Sequence, residues 1–159
     1  MAEQLGETYR GVQAGEALAW HRDTGRWPAS EELYGADVRG HLRRADAHRD
    51  EVAPARAVRE ELRARVDALF DQVDVLLMPV AGSGPSTTDD PNRTPFGPVR
   101  AAVLPWTLLA NLCGLPACSV PAGLDADGLP VGLQVVGPPG ADARVLDAAA
   151  RLETALPWG

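Results

Sequence analysis

The sequence predicts an α/β fold, on three observations. Val58, Leu62, Val66, Leu69 and Phe70 form one stripe at helical spacing, and the apolar run Val75-Leu76-Leu77-Met78 follows almost at once. A helix stripe must pack on something, and a short apolar run is the usual form of a buried strand, so a helix-on-sheet layer is expected. Second, the period changes sharply in the last third. Leu108, Leu109 and Leu112 sit at helical spacing, whereas residues 117–120 and 131–136 are runs of small and β-branched side chains. Third, the chain is 45% hydrophobic but only 5% aromatic, so its core must be assembled from Ala, Val and Leu on many small elements.

Taken in order, residues 4–23 read as a helix, with Leu5, Val12, Leu18 and Ala19 among polar residues and Gly25 closing it. Gly11 and Gly15 weaken that helix. Trp27-Pro28-Ala29-Ser30 is a turn, Ser30 is placed to cap a short helix, and Tyr34-Gly35 breaks it. Residues 37–49 form a polar, Arg-rich helix on which His41 and His48 share a face. Pro54 suits the first turn of the next helix, residues 54–71, and the run ending at Pro79 should be a strand buried on both faces.

Residues 81–98, with four prolines and three glycines among polar residues, should be a loop, either a functional lid or a disordered segment. Residues 99–112 return to helix, with Pro105 either bending it or marking its true first turn. Gly114 can take the αL conformation that ends a helix, and Pro116 prevents it from resuming. Strands follow on either side of an Asp125-Ala126-Asp127-Gly128 turn. Val145, Leu146, Ala149, Leu152 and Leu156 then mark a last amphipathic helix that starts at Asp142, ends at Pro157 and covers the strand at 131–136.

The formal charge of −7 excludes a general nucleic-acid binder, because neutralising phosphates requires a positive face. Eleven of the fifteen arginines lie within residues 10–65, interleaved with acids such as Arg56 with Glu60 and Glu61 with Arg65, the pattern of solvated helix faces. No run approaches the ~20 apolar residues of a membrane span, and Met1-Ala2-Glu3-Gln4 opens no targeting pattern. Cys113 and Cys118 fit no zinc or redox spacing, and two thiols in such a chain suggest a reduced, cytoplasmic protein. With no third ligand for His41 and His48, neither a metal nor an organic cofactor is expected.

Three segments carry a resemblance. Residues 111–116 (Asn-Leu-Cys-Gly-Leu-Pro), 120–123 (Val-Pro-Ala-Gly) and 128–134 (Gly-Leu-Pro-Val-Gly-Leu-Gln) resemble, in this order, the C-terminal consensus of the amidase signature family. The likeness continues through residues 136–142 into the last helix, and is thinner at Glu16-Ala17-Leu18, Tyr34-Gly35 and the strand closed by Pro79. It implies that residues 1–159 are the C-terminal segment of a single amidase-signature domain, with a mixed β-sheet flanked by helices. Its parts are then helical residues 1–72, a strand at 73–79, a loop at 80–98, and helix, strand, turn, strand and helix over 99–157.

Enzymes of that family hydrolyse linear amide bonds with a serine nucleophile, a second serine held by a cis peptide bond, and a lysine base. A serine hydroxyl is a weak nucleophile until an adjacent base takes its proton. This chain contains no Lys, and its four serines, Ser30, Ser83, Ser86 and Ser119, lack the family's Gly-Gly-Ser-Ser setting. No catalytic residue is therefore expected within it. Gly82-Ser83-Gly84 follows a strand end instead of opening a helix, the two cysteines are better explained by packing, and Asp125 and Asp127 by turn chemistry.

The resemblance makes Leu104, Thr107 and Leu108 the candidate lining of the acyl pocket, although a core-facing stripe would look the same. Relatives serving as the A subunit of the tRNA-dependent amidotransferase carry an acid three residues before the threonine, where this chain has Leu104. An apolar residue cannot pair an ammonium group, which favours a less polar acyl group over glutamine. The expectation is the C-terminal part of an amidase, acting on a small-molecule amide and inert by itself. The alternative is a non-catalytic structural or partner-binding module derived from that fold. If the chain is the C-terminal part of an amidase, the strands at 75–78 and 131–136 would have lost sheet neighbours, favouring a homodimer or association with the upstream half.

Overall fold

The computed structural model describes residues 2–95 and 97–156, with side chains from Gln4 onward. The chain divides into two compact units, Met1–Glu61 and Leu62–Gly159. In the first, helix α1 (Ala2–Asp23) is followed by a 3-10 turn (Glu31–Leu33), helix α2 (Ala36–Ala47), a second 3-10 turn (Arg49–Glu51) and the start of helix α3 (Val52–Phe70), within which the division falls. Leu18, Trp27, Leu42 and Ala45 form its buried cluster, with Ala14, Ala17 and Tyr34 packed against them. His21 is tied into this cluster: its Nδ1 lies 2.8 Å from the Tyr34 hydroxyl, and its ring meets Tyr34 edge to face.

Several local expectations change in this unit. Gly11 and Gly15 do more than weaken α1. A methyl at Gly11 would lie 2.6 Å from Ala55 Cβ, and one at Gly15 2.6 Å from Val52 Cγ1, so both glycines let the start of α3 approach closely. Ala19, assigned to the apolar stripe, is exposed, whereas Thr8 is buried with its hydroxyl donating to the Gln4 carbonyl at 2.9 Å. Ser30 makes no side-chain cap; its N–H instead donates to the Arg26 carbonyl. The polar helix stops at Ala47, and His48 turns its Nδ1 to the Arg44 carbonyl at 2.8 Å.

The second unit is built on a three-stranded sheet in the order β1 (Leu76–Pro79), β5 (Pro130–Val136), β4 (Ala117–Leu124). Both ladders are antiparallel, so the mixture of strand directions expected of the whole fold is not seen among the described strands. Val120, Val135, Val145 and Ala149 form the core where helix α5 (Asp142–Ala155) packs on one face of the sheet, with Val75, Cys118 and Leu133 beside them. The expectation that the last helix covers the strand at 131–136 holds. Its proposed stop, Pro157, lies outside the described residues.

The strand at 75–78 departs from expectation. It begins at Leu76, alternates between half-buried and exposed, and leaves Leu77 52% exposed. β1 pairs with β5 along one side only among the described residues, so it is an edge strand with alternate side chains left exposed. The strand at 131–136, expected to have lost its neighbours, is instead central, paired with β1 and β4. On the last helix, Leu146 points away from the sheet and is exposed.

The loop at 81–98 carries a small ladder, β2 (Arg93–Thr94) with β3 (Gly97–Pro98), and Thr94 is buried there with its hydroxyl donating to the Gly97 carbonyl. Helix α4 (Val99–Cys113) runs unbroken through Pro105 and ends at Gly114, whose φ of 68° and ψ of 41° are the expected αL cap. The Asp125 turn is closed by its own carboxylate, whose Oδ1 accepts from the N–H groups of Asp127 and Leu129 at 2.9 Å each. No helix among the described residues is long and apolar enough to cross a membrane.

Candidate functional site

Leu104, Thr107 and Leu108 all lie on α4, at relative positions that place them on one stripe of the helix. Leu108 is only 2% exposed and is packed inside the second unit. Leu104 and Thr107 are half-buried, and the Thr107 hydroxyl donates to the Leu104 carbonyl at 3.4 Å. Such a back-bond occupies the hydroxyl hydrogen and leaves the oxygen able to accept. The stripe is therefore mostly apolar, with the Thr107 hydroxyl as its polar group.

Two contacts fix this helix in the unit. Gln134, only 6% exposed on the central strand, donates from Nε2 to the Trp106 carbonyl at 3.1 Å. The N–H of Gly82 donates to the Ala102 carbonyl at 2.8 Å, and a methyl at Gly82 would lie 2.6 Å from Trp106 Nε1. Only a glycine lets that loop lie so close to the indole. Register places Met78, Gln134 and Ser119 side by side across the sheet, on the face opposite Val135 and α5. The loop at Gly82, α4 and the α4-side face of the sheet thus make one layer, with Leu104 and Thr107 on it.

Sequence reasoning missed both anchors. A buried polar residue must find a partner, so Gln134, set within the run Val131-Gly132-Leu133-Gln134-Val135-Val136, was the available signal. Gly82 was considered only for the serine beside it. That serine is half-buried, and its Oγ donates to the Gly84 carbonyl at 2.7 Å, while His21, His41 and His48 all belong to the other unit. Cys113 is buried and Cys118 half-buried, in keeping with packing roles. Among the described residues no group of three His, Cys, Asp or Glu is placed to hold a metal ion.

The Amidase family model matches residues 28–146, a span that includes all of α4, the hairpin and the start of α5. The chain belongs to the amidase signature family. The putative amidase AmiB2 of Mycobacterium tuberculosis (strain ATCC 25618 / H37Rv) is 39% identical over 112 residues, which cover 67% of this chain and 24% of that protein. The 2-amino-5-chloromuconic acid deaminase of Comamonas testosteroni is 36% identical over 152 residues, 94% of this chain and 33% of the deaminase. Among solved structures, a crystal structure of an amidase matches with a TM-score of 0.76 at 30% identity, covering 98% of this chain and 36% of that one. These relatives share the α/β fold of the family, and the chain spans 24% to 36% of their length.

Proposed function

We propose that residues 1–159 form the C-terminal segment of a single amidase-signature domain whose complete enzyme hydrolyses linear carboxamide C–N bonds. In that reaction the C–N bond breaks, the oxygen of water ends on the acyl carbon as carboxylate, and its proton leaves with ammonia or an amine. The observation that carries this reading is local. The three family segments fold as one continuous device: a helix ending at Gly114, a strand leaving through Pro121, and a return strand whose Gln134 is bonded back to that same helix.

In this reading the chain contributes wall and not machinery. Leu104 and Thr107 offer a largely apolar surface to the acyl side of the substrate, and Leu108 supports it from beneath. A surface without a carboxylate gives no charged partner to an ammonium-bearing substrate such as glutamine. No Lys is present to serve as the family's base, and Ser83 is bonded to a backbone carbonyl, so the isolated chain is inactive.

The test is release of amine or ammonia from a small aryl amide by the purified 159-residue chain, against a buffer blank. No release above the blank is expected. Turnover that persists through purification and disappears on replacing Ser83, Cys113 or Cys118 would overturn the reading.

A further inference from the structure

The sheet of the second unit has two outer edges among the described residues, and its ladders show which backbone groups each edge presents. The Val80 N–H donates to the Gly132 carbonyl at 3.2 Å, in the same register as Leu76 with Val136 and Met78 with Gln134. Antiparallel partners exchange both bonds at alternate pairs, so Leu76, Met78 and Val80 bond inward to β5, while Val75, Leu77 and Pro79 turn their backbone groups outward. On β4, the bond from the Gly137 N–H to the Pro116 carbonyl fixes the same alternation, and Ala117, Ser119 and Pro121 face outward. Pro121 puts a residue without an N–H inside that edge, and the register shifts beyond it, so the β4 edge is blunted. On β1 the proline is the last residue, and the Val75 and Leu77 donors stay open. No charged side chain interrupts residues 75–80, and Leu77, on the face where α5 packs against β4 and β5, is 52% exposed.

We propose that two copies of this chain pair through β1, antiparallel about a two-fold axis at Leu77, and so join their two three-stranded sheets into one. The edge is complementary to itself. The two Leu77 residues exchange N–H and carbonyl bonds, and each Val75 N–H meets the Pro79 carbonyl of the other copy. Every outward donor of residues 75–79 is then used, and the missing proline N–H leaves only the Val75 carbonyl to water. The same symmetry sets the two half-exposed Leu77 side chains directly against each other across the seam. Asp71 and Asp74, which a parallel pairing would bring against their own copies, are carried to opposite ends of it. Association stops at two, because β1 is then paired on both sides and the edges that remain are the blunted β4 strands.

The experiment is sedimentation velocity on the 159-residue chain over a roughly 100-fold range of concentration, with amide exchange followed by NMR. Twice the mass of the chain is expected at the upper end. The Leu77 amide, which faces away from β5, should be protected in the dimer and exchange freely on dilution. Leu77→Lys places like charges directly opposite each other and should weaken the dimer at least ~10-fold, with the fold checked by circular dichroism. Should that variant not fold, Leu77→Pro removes only an outward N–H, leaves the bonds from β1 to β5 in place, and should weaken the dimer likewise. Leu146→Lys, at a position 61% exposed on α5, should leave the dimer intact. A chain that stays monomeric would overturn the proposal and leave the edge to the upstream part of a longer domain. So would a dimer whose Leu77 amide exchanges freely, one broken by Leu146→Lys and not by Leu77→Lys, or association that continues past two. None of these readouts involves turnover, so failure here is separate from failure of the amidase reading.

Discussion

Placing a methyl group at Gly137 tests the packing that holds α5 to the sheet. Gly137 follows the last residue of β5, and its N–H donates to the Pro116 carbonyl at 3.0 Å. In Gly137→Ala the new Cβ would lie 2.5 Å from Val145 Cγ2. Carbon atoms rest about 3.5–4.0 Å apart, so a gap of about 1 Å must open. Val145 cannot yield alone. It is 2% exposed, packed with Val120, Val135 and Ala149, and a helical valine keeps one rotamer about 90% of the time. The first turn of α5 must therefore move off the sheet.

Overpacking of this kind costs about 1–3 kcal/mol, and we expect ~2 kcal/mol. At about 2–4 °C per kcal/mol for a chain of this length, the thermal midpoint should fall by roughly 6 °C. Val145→Ala alone removes two methyl groups at about 0.8 kcal/mol each and leaves a cavity, so it too should cost ~2 kcal/mol. In the double variant the added methyl fills the space vacated. Its loss should be smaller than the sum of the two by ~2 kcal/mol. Urea unfolding of the four proteins gives the free energies and thermal unfolding the midpoint, both followed by far-ultraviolet circular dichroism. A Gly137→Ala protein within ~0.5 kcal/mol of the parent, or strict additivity in the double variant, would refute the reasoning.

Substitutions at four other positions test the remaining structure. Gly114→Ala forces a side chain into the left-handed region at φ 68° and should cost about 1–2 kcal/mol, with Gly114→Asn closer to the parent in the same denaturation series. In α1, Gly11→Ala should destabilise the first unit by about 1–3 kcal/mol, because its neighbour at 2.6 Å is a methyl with no rotamer to change. Gly6→Ala, which meets only the tip of Arg10 at 3.8 Å, should stabilise by about 0.5–1 kcal/mol in thermal unfolding. Tyr34→Phe removes the hydroxyl bonded to His21 Nδ1 in a half-buried setting and should cost about 0.5–1.5 kcal/mol by the same measurement.

What the sequence determined by itself was much of what local chemistry encodes. Helix ends at Gly25 and Gly114, the Asp125 turn, the amphipathic pattern of α5 and the family's three ordered segments depend on residues close in the chain, and all are legible from it. The shared helix face of Leu104, Thr107 and Leu108 was legible as well, because residues at this spacing share a face whatever surrounds them, whereas their place in a pocket came only from the family resemblance. Tertiary structure alone decided how that face is used: Leu108 is packed inside while Leu104 and Thr107 stay half-buried, because Gln134 and the loop at Gly82 fix the helix from positions distant in sequence. It also decided that the apolar run at 75–78 is an edge strand and that the run at 131–136 is central. Hydrophobicity measures how strongly a segment seeks cover, but strand order determines which edges are paired, and what packs on the sheet determines which faces are covered. The same holds for Gly11 and Gly15, which lower helix propensity in α1 when read alone. Their value appears only when Ala55 and Val52 arrive against them, a contact between residues far apart in the chain.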